Sequence, residues 1–160
     1  MAPYVTAFVG LGSNLGDRQQ NIAKAYELIG KLPKTRSLRL SALIETAPEN
    51  CPPGSPSFMN AVAKVETKLT ARELLAGLLD VEKQLGRARS GVRNEPRTLD
   101  LDLLLFGDNV INEPDLIVPH PRMHQREFVL WPLLQIDSRV RDPRTGNPFA
   151  DAYATLKGRP

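Results

Sequence analysis

Residues 96–106 read Pro96-Arg97-Thr98-Leu99-Asp100-Leu101-Asp102-Leu103-Leu104-Leu105-Phe106. Successive strand residues face opposite sides. A strand over residues 98–106 therefore sends Leu99, Leu101, Leu103 and Leu105 to one side, and Asp100, Asp102, Leu104 and Phe106 to the other. A leucine face of this length belongs on a core. The other face starts with two carboxylates and ends apolar, so it is not a freely solvated surface. We expect it to form the rim of a covered cleft.

Upstream of this strand, Thr70-Ala71-Arg72-Glu73 is a capping box that opens a helix. Its stripe is Leu74, Leu75, Leu78, Leu79 and Leu85, and Gly86 is its expected terminator. Ala61, Ala63 and Val65 indicate a strand, and Leu38, Leu40, Ala42 and Ile44 alternate as another. Residues 5–11 form the first strand, ending in Gly12-Ser13-Asn14. Asp17 then caps a helix in which Ile22, Tyr26 and Ile29 recur at helical spacing until Pro33. Downstream come a turn at Gly107-Asp108, a short apolar piece at Val110-Ile111, and a helix over residues 124–136 that Pro132 kinks or ends early. A hairpin turn at residues 142–146 and a weak last helix close the chain. The order is βαββαβ, which predicts an α+β fold with a ferredoxin-like core. That means a mainly antiparallel sheet with helices packed on it, plus extra C-terminal elements. Such a plan hosts many activities, so function has to be argued from the site.

The chain has 160 residues, 41% hydrophobic and 24% charged, which suits one folded domain over residues 1–160. No apolar run reaches the roughly 18 residues that span a membrane, and no secretory pattern opens the chain. Cys51 is the sole cysteine, which excludes an internal disulfide and fits a cytoplasmic location. No coiled coil or swapped element is visible, so a monomer is expected. The net charge is +3 and the pI is about 9.2. Arg87, Arg89, Arg93 and Arg97 fall within eleven residues, opposed there only by Glu95.

Two residues along a strand separate Cα atoms by roughly 6.6 Å. Carboxylates at that spacing converge on one cation or bridge two about 3.5–4 Å apart. Hard divalent ions such as magnesium take oxygen ligands and hold nucleotide phosphates through one or two carboxylates. Guanidinium groups complete the neutralisation of a polyphosphate. The plainer alternative is that the aspartates keep an exposed sheet face soluble. Against it, aspartate is disfavoured in strands, and two on one face repel. An RNA-binding module on the same plan needs aromatics on its central strands, and no matching set is present. Paired aspartates also repel phosphates in the absence of metal, so no nucleic-acid partner is expected. A different two-metal nucleotidyl- or phosphotransferase, and an inactive paralogue, remain as alternatives.

The stretch from Pro96 to Asp102, continued to Gly107, resembles the signature of the 6-hydroxymethyl-7,8-dihydropterin pyrophosphokinases. The resemblance extends to Gly12-Ser13-Asn14-Leu15, to Phe58-Met59-Asn60-Ala61, and to a later block. That block comprises Val118-Pro119-His120, Met123, Arg126, Phe128 and Leu130-Trp131-Pro132-Leu133. It implies transfer of the β,γ-diphosphate of ATP to the hydroxymethyl group of 6-hydroxymethyl-7,8-dihydropterin, a step of folate biosynthesis. Asp100 and Asp102 would ligate two magnesium ions, and Arg87 and Arg97 would act on the phosphates. Glu82, Arg89, His120 and Arg126 fall on the nucleotide side. Phe58 and Phe128 would sandwich the pterin ring, while Asn60 and Thr46 would read its edge. Asn94 and Glu95 stand where better-known members carry Trp and Gly. Asp115, Ile117 and Pro121 stand where some members have Arg, Thr and Tyr.

Overall fold

The structure, a computed structural model, describes residues 3–47, 54, 57–85 and 99–158. Its elements are β1 (Val5–Ser13), α1 (Arg18–Gly30), β2 (Thr35–Leu40), β3 (Ile44–Thr46), β4 (Phe58–Thr67), α2 (Ala71–Gln84) and β5 (Asp100–Phe106). There follow β6 (Ile111–Glu113), β7 (Leu116–Val118), a 3₁₀ turn (Met123–Gln125), α3 (Glu127–Ile136) and α4 (Phe149–Lys157). β1 pairs antiparallel with β4 on one side and with β5 on the other. The far edge of β4 carries both β2 and β3. The five-stranded sheet therefore runs β2-β4-β1-β5, with β3 beside β4, and β6 and β7 form a separate hairpin. Allowing for the split second strand, this is the predicted βαββαβ ferredoxin-like plan.

Helix starts follow the sequence closely. The Asp17 side chain accepts the Gln20 amide, and Thr70 and Glu73 make the reciprocal capping box. α1 and α2 cover one sheet face, where Ala7, Val9 and Leu11 meet Ile22, Ile29, Leu74, Leu78 and Val81. α3 and α4 cover the other, where Phe8 and Val62 meet Leu130, Leu133 and Phe149. Each fully buried leucine contributes about 1.5–3 kcal/mol relative to an exposed one.

Four expectations are revised. The alternating run 38–44 is two strands, because Ser41 interrupts it. Ser41 replaces the ladder there: its Oγ accepts the Val62 amide at 2.8 Å and its own amide donates to the Val62 carbonyl at 2.9 Å. Leu79 leaves the α2 stripe, being 44% exposed, and Val110 is 59% exposed. The 124–136 helix is a 3₁₀ turn followed by α3, and α3 continues through Pro132 to Ile136.

The fourth revision concerns β5. Val9 pairs with Leu103, yet Phe8 pairs with Leu105, so Leu104 is an inserted bulge residue. Leu99, Leu101 and Leu103 pack beneath α1 and α2 as predicted. Beyond the bulge the faces exchange: Leu105 joins Leu104 in the α3–α4 core, and Phe106 joins the α1–α2 core. Among the described residues, no helix is long and apolar enough to cross a membrane. The expected terminator Gly86 and the sole cysteine, Cys51, lie outside the described residues.

Candidate active site

β1 is the floor of the site. Its Gly10 and Gly12 stand in register with Asp102 and Asp100 of β5, and Gly12 also pairs with Asn60 of β4. Glycine inside a strand often marks a place where another group comes close. A Cβ on Gly12 would lie 3.1 Å from Asn60 Oδ1 and 3.7 Å from Phe58 Cδ1. The bare strand thus lets Asn60 and Phe58 settle onto it.

Above the floor is a cavity of about 600 Å³, whose lining includes Gly12, Thr46, Phe58, Asn60, Asp100, Asp102, Arg126 and Phe128. Seven residues singled out in the sequence are therefore brought together from β3, β4, β5 and the start of α3. On the β3–β4 side, the Asn60 side-chain amide donates to Thr46 Oγ1 at 2.9 Å. On the α3 side, the Arg126 guanidinium lies 5.5 Å from the centre of the Phe128 ring. Arg126 is the N-cap residue of α3 and supplies no side-chain cap. The positive end of that helix and the arginine cation therefore lie at the same wall.

Two further candidates lie outside the lining. His120 follows β7 and is pinned to the bulge: its amide donates to the Leu104 carbonyl at 2.9 Å. Its Nδ1 accepts the Arg122 amide at 3.2 Å. Burial, reinforced by Arg126 and Arg122, pushes the imidazole pKa down to about 4. The ring is thus neutral at pH 7, and the accepting Nδ1 leaves the proton on Nε2. Glu82 is only 3% exposed. Its Oε2 accepts the Leu101 amide at 2.7 Å, so it grips β5 between the two aspartates. Arg87, Arg89 and Arg97 lie outside the described residues.

The sequence reading did not name Gly10, Glu45, Gln125 or Glu127 and gave Gly12 only as part of its first-loop motif, not as a site residue; all five line the cavity. The two glycines carried a signal, their alternate positions inside a strand. The other three were ordinary polar residues whose placement depends on how β3 and α3 approach the sheet.

Asp100 is half-buried and Asp102 exposed, both on the cavity wall. Among the described residues no group of three or more His, Cys, Asp or Glu could hold a metal by itself. Two carboxylates suit an ion that takes its remaining oxygens from water and a polyphosphate, as magnesium does. They do not suit a caged zinc or calcium.

Fold and cavity together define a ferredoxin-like protein with two carboxylates and two aromatic rings lining one cavity. The chain belongs to the 7,8-dihydro-6-hydroxymethylpterin-pyrophosphokinase family, whose model matches residues 8–138, and with it to the transferases of folate biosynthesis. It is 41% identical over 136 residues to the 2-amino-4-hydroxy-6-hydroxymethyldihydropteridine pyrophosphokinase of Pseudomonas aeruginosa, covering 85% of this chain and 83% of that one. The Haemophilus influenzae protein of the same name is 40% identical over 141 residues, covering 88% and 87%. The folic acid synthesis protein fol1 of Pneumocystis carinii is 40% identical over 149 residues. There the match takes in 93% of this chain and only 20% of the fungal one. Among solved structures, Plasmodium falciparum HPPK-DHPS superposes with a TM-score of 0.74 at 14% identity, over 97% of this chain and 45% of that one. At that identity the likeness shows the fold alone.

Proposed function

We propose that this chain transfers the β,γ-diphosphate of ATP to the hydroxymethyl oxygen of 6-hydroxymethyl-7,8-dihydropterin, releasing AMP. The carrying observation is one cavity with Phe58, Phe128 and the Asn60–Thr46 pair on some walls and Asp100 and Asp102 on another. The acceptor ring lies between Phe58 and Phe128, a geometry suited to a flat heterocycle. Asn60 and Thr46 read its polar edge. The hydroxymethyl oxygen then bonds to the β-phosphorus as the bridge between the α- and β-phosphates breaks.

Asp100 and Asp102 would hold two magnesium ions. When bound, these neutralise charge on the triphosphate and help align it. Arg87 and Arg97 act on the phosphates from the arginine-rich stretch. Arg89, Arg126, His120 and Glu82 serve the nucleotide side. Neutral His120 offers an Nε2–H donor and adds no charge. Glu82 serves through its hold on β5. Positioning and charge neutralisation dominate chemistry of this type. The protein works as a cytoplasmic monomer formed by one domain over residues 1–160.

The deciding experiment incubates the protein with ATP, magnesium and the hydroxymethyl dihydropterin and separates the nucleotides. AMP appearing in step with pterin diphosphate supports the reading. ADP marks an ordinary kinase instead, and no turnover marks an inactive relative.

A further inference from the structure

The chemistry above leaves unused a charged pair at the acceptor wall. Arg18 is the first residue of α1, where a cation opposes the helix dipole. Its side chain nevertheless turns to the sheet. One guanidinium nitrogen donates to the Ser57 carbonyl at 2.9 Å and lies 2.8 Å from Glu45 Oε2. Ser57 immediately precedes Phe58, and Glu45 immediately precedes Thr46. Thr46 and Phe58 form the last rung of the three-rung β3–β4 ladder. A single arginine thus holds the backbone one residue away from two of the residues lining the acceptor side of the cavity. The Asn60–Thr46 hydrogen bond depends on the same register. β3 has only three residues, too few to fix its own position by ladder bonds alone.

We infer that Arg18 and Glu45 are a positioning pair for the acceptor pocket: their contact sets where Thr46 stands relative to Asn60 and Phe58. Arg18 is not among the residues that line the cavity. The inference rests on the acceptor being a flat ring between Phe58 and Phe128. Because Glu45 is 55% exposed and Arg18 27%, coupling between them weakens with salt. The backbone bond to Ser57 persists.

The test is a double-substitution cycle with Arg18→Met, Glu45→Gln and both together. Arg18→Met keeps the apolar stem and removes the fork. It should raise the KM for the hydroxymethyl dihydropterin about 10-fold, or about 1.4 kcal/mol, while kcat and the KM for ATP stay within about twofold. Glu45→Gln should give a smaller rise, and the double variant should be no worse than Arg18→Met, the mark of a shared interaction. The Asn60 side-chain amide resonances should shift in Arg18→Met without any ligand. Equal rises in both KM values, additive effects in the cycle, or unmoved Asn60 resonances would each overturn the inference. Glu45→Gln removes only the charge, so it keeps the test informative if Arg18→Met folds poorly. Wild-type protein that makes no AMP would sink the functional reading instead. The Asn60 resonances would still decide whether the pair positions this wall.

Discussion

Gly12→Ala probes how the acceptor wall is built. The new methyl would sit 3.1 Å from Asn60 Oδ1, closer than ordinary contact, with Phe58 Cδ1 at 3.7 Å and the Met59 carbonyl oxygen at 3.9 Å. Asn60 must give by a few tenths of an ångström. Its bond to Thr46 is now 2.9 Å, and such a shift takes it to the edge of the useful range, about 3.2 Å. Losing that bond costs about 0.5–1.5 kcal/mol of stability. Gly12 is not among the glycines with positive φ, so alanine fits its backbone and restores about 0.4–1 kcal/mol by narrowing the unfolded ensemble. The two nearly cancel, and global stability should change by less than about 1 kcal/mol. Acceptor recognition has no such offset. A mismatched amide facing a buried polar edge costs about 1–3 kcal/mol, which raises Kd about 5- to 150-fold. Calorimetric titration with the hydroxymethyl dihydropterin, alongside a urea melt, measures both quantities. Gly10→Ala is the control, since its methyl meets Leu104 Cδ2 at 3.5 Å, an ordinary contact. Its acceptor affinity should hold within about twofold. Gly12→Ala binding as tightly as wild type, or weakening only in proportion to lost stability, would refute the reasoning.

Other perturbations separate the remaining roles. Asp100→Asn and Asp102→Asn each remove a charge with little change of shape, and should cut magnesium-dependent AMP formation about 10²–10³-fold while leaving the melting temperature within a few degrees. A normal rate from either variant removes that residue from the metal pair. Glu82→Ala should destabilise by about 1–3 kcal/mol, because it leaves a buried strand amide unmatched, whereas Glu82→Gln keeps an acceptor and should lose less. Hydrogen exchange at the Leu101 amide reads this directly, and unchanged protection in Glu82→Ala would contradict it. For His120 the folded pKa, about 4, lies below the ordinary 6.5. Between those values the unfolded chain binds a proton that the folded chain does not. Stability is therefore lost as pH falls from 6.5 toward 4. The full shift would be worth about 3 kcal/mol, and solvent screening of this half-buried ring reduces it to about 1–2 kcal/mol. Urea midpoints at pH 7 and pH 4.5 should show this difference between wild type and His120→Asn, and equal pH slopes would rule it out.

The parts of the fold legible in sequence are those whose cause is local. The Thr70–Glu73 box acts within one helical turn, so it reads directly from residue types, and the structure reproduces it. The alternation from Leu99 to Leu103 likewise carries its own period, which is why the two aspartates were correctly placed on one face. It failed at Leu104 because a bulge is decided by the partner strand. Phe8 must reach the α3–α4 core while Ala7 fills the other side, and β5 adds one residue to follow. The interruption at Ser41 has the same origin, since its hydroxyl takes over the bond of a neighbour twenty-one residues away.

The site divides along the same line. Residues that carry their chemistry in the side chain, such as Asp100, Asn60 and Phe128, were legible as candidates. Residues that act by absence or at a distance were not. Gly12 matters for the methyl it lacks, and Arg18 for a carbonyl 39 positions along the chain. Glu82 shows the limit most clearly. The resemblance places it on the nucleotide side, and its described bond is to the backbone of β5. A carboxylate buried near a helix C-terminus works against solvation and the dipole together. The Leu101 amide lies between the residues proposed to hold magnesium, so part of the compensation for those costs is delivered at the strand that carries them. The negative charge that weakens α2 locally then helps fix the geometry of the pair. Glu82 thereby ties the stability of one helix to the placement of the two carboxylates.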